Sequence, residues 1–429
     1  MRRTDECYQT YLQILKEELV PAMGCTEPIA IAYGAAKARE ILGEIPDEVL
    51  LEVSGNIIKN VKSVVVPNTG GMKGMEAAAA AGIVAGQADL VLEVISRVTE
   101  EERAAIAEFL RTAKITVRPC QGSEIFDIWL TLTHGEDSVT LRIARYHTNI
   151  VYVEKNGKVL YKAGEGESKI ENLTDRNLLN VKDILEFAET ADIEDLRPMI
   201  QRQIDTNMAI AREGMKSGYG ANVGKVLMKY DGEKTSCKAR AMAAAASDAR
   251  MSGCELPVII VSGSGNQGIT ASVPVVVYGQ EMKASEERMI RGVALSDLLT
   301  IHLKDGIGRL SAYCGAVSAG CASGAAIAWL EGQGYEGISH TLVNALAVVS
   351  GIVCDGAKPS CAAKIAEAVN TGILGYHMFL EGQEFRGGEG IVTKGVEATI
   401  ANVSRLGREG MKETDKEIIR IMTGTAETN

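Results

Sequence analysis

Between residues 47 and 162 this chain carries a block of β-branched, alternating segments, while the sequence on both sides is helical in texture. VLLEVSG, SVVVPN, LVLEVIS, KITVRP, IFDIWLTL, SVTLRIA and NIVYVEK all read as strands, with HGED and KNGK as hairpin turns between them. Helical spacing interrupts the block at 74–86 and 100–112. Before it, residues 7–20 form an apolar stripe broken by Pro21 and Gly24, and Thr26-Glu27-Pro28 restarts a helix that stops at Gly43. In that restart Thr26 is the expected N-cap. After the block, helices are predicted near 181–190, 197–214, 235–252, 283–303, 317–331, 340–350, 360–371 and 409–423. The expected fold class is α+β. A large helical domain (residues 1–46 and 173–429) carries an inserted mixed α+β module (47–172) with a largely antiparallel sheet.

Composition narrows the partners. The 429 residues include 45 glycines and only 4% aromatics, which favours close-packed helices with small contact residues. A net charge of −11 argues against nucleic acid or an anionic membrane as the main partner. The N-terminus lacks a signal-peptide pattern, and apolar runs such as ALAVVSGIVC fall short of the roughly 20 residues needed to span a bilayer. The 9 cysteines, an odd number in a long chain, do not resemble a disulfide framework. The cytoplasm, with reduced thiols, is the expected compartment, and homo-oligomerisation is left open.

The chemistry concentrates in GRLSAYCGAVSAGCASG and VSGIVCDGAKPSCAAKIAEAV, each holding a C-x6-C pair. Residues between Cys314 and Cys321 are helix-compatible, which would separate the two by roughly 10 Å, too far for one cluster. The second pair encloses Asp355-Gly356-Ala357-Lys358-Pro359, which cannot be regular helix, so a loop could bring Cys354 and Cys361 together. Cys314 is the preferred third member, because it follows the Gly306–Gly308 turn and leads the helix. Three thiolates can hold an iron–sulfur cluster and leave one iron open as a Lewis acid. By spacing alone, these cysteines are equally readable as small buried packing residues. No C-x2-C pair supports a ferredoxin or zinc-ribbon reading.

GCTEPIAIAYGAA (24–36), PNTGGMKG (67–74), VSGSGNQGITASVP (261–274) and the two cysteine segments resemble the L-cysteine desulfidase family, related to the alpha chain of the iron–sulfur L-serine dehydratases. The resemblance spans nearly the whole chain. It implies a [4Fe-4S] cluster held by Cys314, Cys354 and Cys361, with Cys25 as the catalytic base, and a lyase that converts L-cysteine to pyruvate, ammonia and hydrogen sulfide. L-serine dehydration by the same machinery is the alternative, and a non-catalytic iron–sulfur sensor is a second.

Cys25 suits the base role because a helix N-terminus favours a thiolate, an effect Glu27 opposes unless it is paired or turned away. The substrate's carboxylate and ammonium need holders. Asn68, Thr69, Gly70 and Gly71 form one candidate loop, and Ser262, Gly263, Ser264, Gly265, Asn266 and Gln267 form another. Lys73 and Arg309 are candidate charge partners. Gly263, Gly265 and Gly268 also satisfy a nucleotide-binding spacing. However, ITASVPVVVYG is poor helix material, and repeated βαβ units are missing. The five histidines show no metal-ligand spacing and read as structural.

Overall fold

The computed structural model describes residues 1–122, 124–164, 173–232, 234–308 and 310–424. Among these, the strand block forms one 6-stranded sheet, ordered Lys114–Pro119, Glu48–Val53, Asp127–His134, Asp137–Ala144, Ile150–Lys155, Lys158–Lys162. Only the first neighbouring pair is parallel; the rest are antiparallel, and both expected hairpin turns are present. Strand alternation turns Ile128, Leu130, Leu132, Leu141 and Ile143 into the core. The helix Thr26–Leu42 covers this face, close enough that a Cβ at Gly34 would lie 2.8 Å from Leu130. The architecture is α+β.

The remaining helices pack through small residues. The helices Gly315–Leu330 and Cys361–Leu380 cross in backbone contact: a Cβ at Gly324 would fall 2.4 Å from the carbonyl carbon of Gly372. Gly320 meets Ala368 in the same way.

Several segments fold otherwise than their propensities suggest. SVVVPN is not a strand: it joins only an isolated bridge, Val65 to Lys73, and turns at Asn68, whose φ is +58°. LVLEVIS lies mostly in a 3-10 stretch, Ala88–Glu93, where Leu92, Val94 and Ile95 are buried without strand pairing. Burial satisfies these side chains as well as a sheet would. ITASVPVVVYG lies within the helix Gly265–Glu281, despite Pro274 inside it. That helix is buried almost all round, and packing outweighs both β-propensity and the lost Pro274 hydrogen bond. The N-cap of Thr26–Leu42 is Cys25, not Thr26. Short helices at Gly55–Val61, Val223–Asp231 and Val396–Arg405 carry too little periodicity to be seen in sequence.

The C-terminal helix Lys412–Thr423 docks on Gly55–Val61 through Asp415. This carboxylate receives Lys59 Nζ at 2.5 Å and Asn56 Nδ2 at 2.8 Å. The Lys59 side chain is only 1% exposed, so Asp415 is its counter-charge in a dry setting. Removing one member of a buried pair strands the other. Asp415→Ala is expected to cost about 3–5 kcal/mol in urea unfolding, with Asp415→Asn costing clearly less.

Candidate active site

Among the described residues, four helices begin at the wall of one cavity of about 100 Å³: Thr26–Leu42, Gly265–Glu281, Gly315–Leu330 and Cys361–Leu380. Each brings unsatisfied N–H groups and the positive end of its dipole. Three of them open on cysteine: Cys25 and Cys314 are N-caps, and Cys361 is a first helical residue. The cavity shares Lys304, Leu310 and Ser311 with a wider cleft of about 800 Å³, which offers a way in.

Cys354 reaches the same cavity from an extended stretch. Cys314 N–H donates to Ile352 O at 3.1 Å and Cys354 N–H to Ala312 O at 2.6 Å, so the two strands run side by side. The loop back to Cys361 is braced by Asp355, which pairs with Lys358 and Lys364. Gly356 has φ +95°, and a Cβ there would meet Lys59 O at 2.2 Å. Glycine is therefore required for the loop to lie on the Gly55–Val61 helix. Cys314, Cys354 and Cys361 thus line one cavity, while Cys321 is buried in the helical core away from it. Burial, then the neighbouring Cys354 and Cys361 charges, push the Cys314 thiol up to about 12. Burial raises Cys361 as well.

Cys25 lies in the same wall. Its thiol donates to Glu27 Oε2 at 2.9 Å, and burial followed by the Glu27 charge holds it well above the usual thiol range. The helix N-terminus does not favour a resting thiolate here, because burial and then the Glu27 charge oppose it. Glu27 is itself held by Thr26 Oγ1 at 3.2 Å and Asn60 Nδ2 at 3.0 Å. Burial works against its ionisation, but His147, 3.9 Å away, and the Cys25 thiol outweigh burial and bring Glu27 to about 2. His147 stacks edge-on against Phe126, at 4.9 Å between ring centres. The sequence reading gave neither Glu27 nor His147 a working part, and no local spacing links them.

Of the second glycine-rich loop, Ser264, Asn266 and Gln267 line the cavity. Ser262, with φ +49°, lines the adjoining cleft, and Gly263 O accepts Thr26 Oγ1 at 3.1 Å. Gly265 begins the helix after a short strand, Val258–Ile259, that pairs antiparallel with Pro21–Ala22. Helix material after Gly263-x-Gly265 is therefore present, contrary to expectation, although among the described residues the strand before it pairs only antiparallel and no parallel βαβ unit surrounds it. The glycine at 268 serves packing, since a Cβ there would lie 2.0 Å from Ile259 O.

Asn68, Thr69, Gly70 and Gly71 do not line this cavity. Asn68 Nδ2 donates to Ile95 O and Thr69 Oγ1 to Val66 O, so both polar side chains are used in the fold. Lys73 is exposed, and Arg309 lies outside the described residues. Arg250, which the sequence reading passed over, stands in the cavity wall.

Residues 89–420 match the family model described as serine dehydratase alpha chain. The chain belongs to the serine dehydratase alpha chain family. It is 62% identical to the UPF0597 protein of Desulfitobacterium hafniense over 422 residues, covering 98% of each chain. It is 49% identical to the UPF0597 protein of Treponema denticola, covering 97% of this chain and 98% of that protein. The Fusobacterium nucleatum relative is 46% identical over 96% and 98% of the two chains. Membership of the serine dehydratase alpha chain family suggests lyase chemistry in general. Among the described residues, no helix is long and apolar enough to cross a membrane.

The Cys25–Glu27 contact makes a signed prediction. The Glu27 charge raises Cys25, so Glu27→Gln is expected to lower the pH at which the Cys25 thiolate forms. Ultraviolet thiolate titration of the metal-free protein, referenced to Cys25→Ala, measures this.

Proposed function

We propose that this protein is an iron–sulfur-dependent lyase that eliminates sulfide from L-cysteine, giving pyruvate, ammonia and hydrogen sulfide. The observation that carries the reading is the meeting of Cys314, Cys354 and Cys361 with Cys25 in one cavity bounded by helix N-termini.

The donor set fits a [4Fe-4S] cluster. The three thiols come from separate backbone positions, and their charges oppose one another in the absence of a metal. Among the described residues, no group of three or more His, Cys, Asp or Glu side chains gathers around a single ion point. A cluster does not ask for one, since each thiolate binds a different iron. Held by Cys314, Cys354 and Cys361, it would supply a Lewis-acidic iron for the departing group.

The chain's own residues handle the proton. Glu27 Oε2 holds the Cys25 thiol from 2.9 Å, and once that thiol has lost its proton to water entering from the adjoining cleft the sulfur accepts the Cα proton. As the Cα–H bond breaks, its electrons form the Cα–Cβ double bond and the Cβ–S bond releases sulfide. The resulting aminoacrylate tautomerises and is hydrolysed by water to pyruvate and ammonia. The Asn266–Gln267 helix start lines the same cavity and supports substrate binding.

The second reading, dehydration of L-serine, is favoured by the description of the matching family model. The same base and cavity would serve, with water leaving in place of sulfide.

Anaerobically reconstituted protein is expected to release sulfide from L-cysteine, with L-serine assayed in parallel for pyruvate. Pyruvate from serine without comparable sulfide would move the assignment to dehydratase. Cys25→Ala should retain iron and lose roughly 10²-fold or more in turnover. Cys354→Ala should lose iron itself, as read by metal analysis.

A further inference from the structure

Arg250 is the feature of the cavity that the elimination chemistry leaves unused. Its residue is only 3% exposed, at the end of the helix Thr235–Met251, and it stands in the wall with Cys25 and Gln267. Its Nη1 donates to Asn266 Oδ1 at 3.0 Å, while its Nε has no partner. A Cβ at Gly265 would fall 2.4 Å from that Nε, so the helix start must be bare for the guanidinium to lie against it.

A guanidinium cannot shed its proton, so burial does not neutralise it as it does a lysine or a carboxyl. No carboxylate pairs with Arg250 among the described residues; its partner is the neutral amide of Asn266. A buried, permanent cation in this state lacks an anion. Beside it, the side chain of Gln267, also 3% exposed, has an unpartnered Oε1. An unused donor and an unused acceptor thus share one wall of a cavity too small for a nucleotide. An α-amino acid presents the complement, a carboxylate next to an ammonium.

We propose that Arg250 binds the α-carboxylate of the substrate, with Asn266 holding the guanidinium in place and Gln267 Oε1 receiving the α-ammonium. This rests on the reading of the cavity as an amino-acid site. Planar, two-pronged donation suits a carboxylate better than a lysine would. Fixing both groups of the amino acid on this wall would leave Cα to face Cys25, whose wall it adjoins. Arg250 then selects for a free carboxylate irrespective of which group leaves from Cβ.

The test is equilibrium binding of L-alanine and L-alaninamide to reconstituted protein by calorimetry. These probes differ in the carboxylate charge and carry no leaving group. The wild type is expected to prefer L-alanine by roughly 10²-fold. Arg250→Gln should abolish that preference, and Arg250→Lys should keep part of it, with circular dichroism and cluster absorption unchanged in both. No preference in the wild type overturns the proposal, whatever the variants do. A folded Arg250→Gln that retains the wild-type preference also overturns it. So does a loss of cluster absorption with the preference intact, which would assign Arg250 to the cluster's charge. Because alanine binding requires no turnover, a protein that shows the Arg250-dependent preference but releases no sulfide would remove the desulfidase reading alone.

Discussion

Four helix N-termini directed at one small cavity are the constraint on which the rest of the structure depends. Helix ends of like polarity repel, and their free N–H groups must be satisfied by something in the space between them. Bringing the ends this close requires helices that touch through backbone. The Gly320–Ala368 and Gly324–Gly372 contacts supply that approach for the two helices opening on Cys314 and Cys361. The glycine- and alanine-rich composition is therefore tied to the site. Large side chains along this crossing would spread the helix starts and separate the sulfurs they carry.

The sequence discloses the site where chemistry and local backbone coincide. Cys354 and Cys361 were readable as a pair because Gly356 and Pro359 forbid a continuous helix between them. Cys25 was readable because Pro28 marks a helix start just after it. What stayed hidden depends on tertiary placement. Arg250 looks like an ordinary helix-end arginine, and His147 belongs to a turn far along the chain from Glu27. Strand-like texture misled at 63–68, 90–96 and 269–279, where β-branched residues are buried by packing and not by a ladder. Pro274 strengthened the last misreading, since proline within a helix is tolerated only where the surroundings fix it. The sheet itself was legible, because its hairpins combine clear alternation with turn residues.

The strand-rich segment is more than an appendage to the helices. Its sheet packs against the helix Thr26–Leu42, and its turn delivers His147 to the buried side of Glu27. The helix that begins with Cys25 is thus fixed at one end by the glycine-rich loop, through Thr26 and Gly263, and along its length by the sheet. Glu27 is the meeting point: Cys25 and Asn60 donate to it, and the one hydroxyl proton of Thr26 is shared between it and Gly263 O. A carboxylate held from these sides has little freedom to turn, which keeps the thiol contact in place.

Charge in the cavity bears on why a thiol rather than a second carboxylate stands beside Glu27 at position 25. Glu27 brings one buried negative charge and Arg250 one buried positive charge, while Cys25 and Cys314 are held toward their neutral forms by burial and neighbouring charge. Lys304 adds a second buried cation to the lining of the cavity. A second permanent carboxylate at position 25 would lie against Glu27 and oppose its charge. A thiol stays neutral until its proton leaves, so negative charge arises at the sulfur only on ionisation.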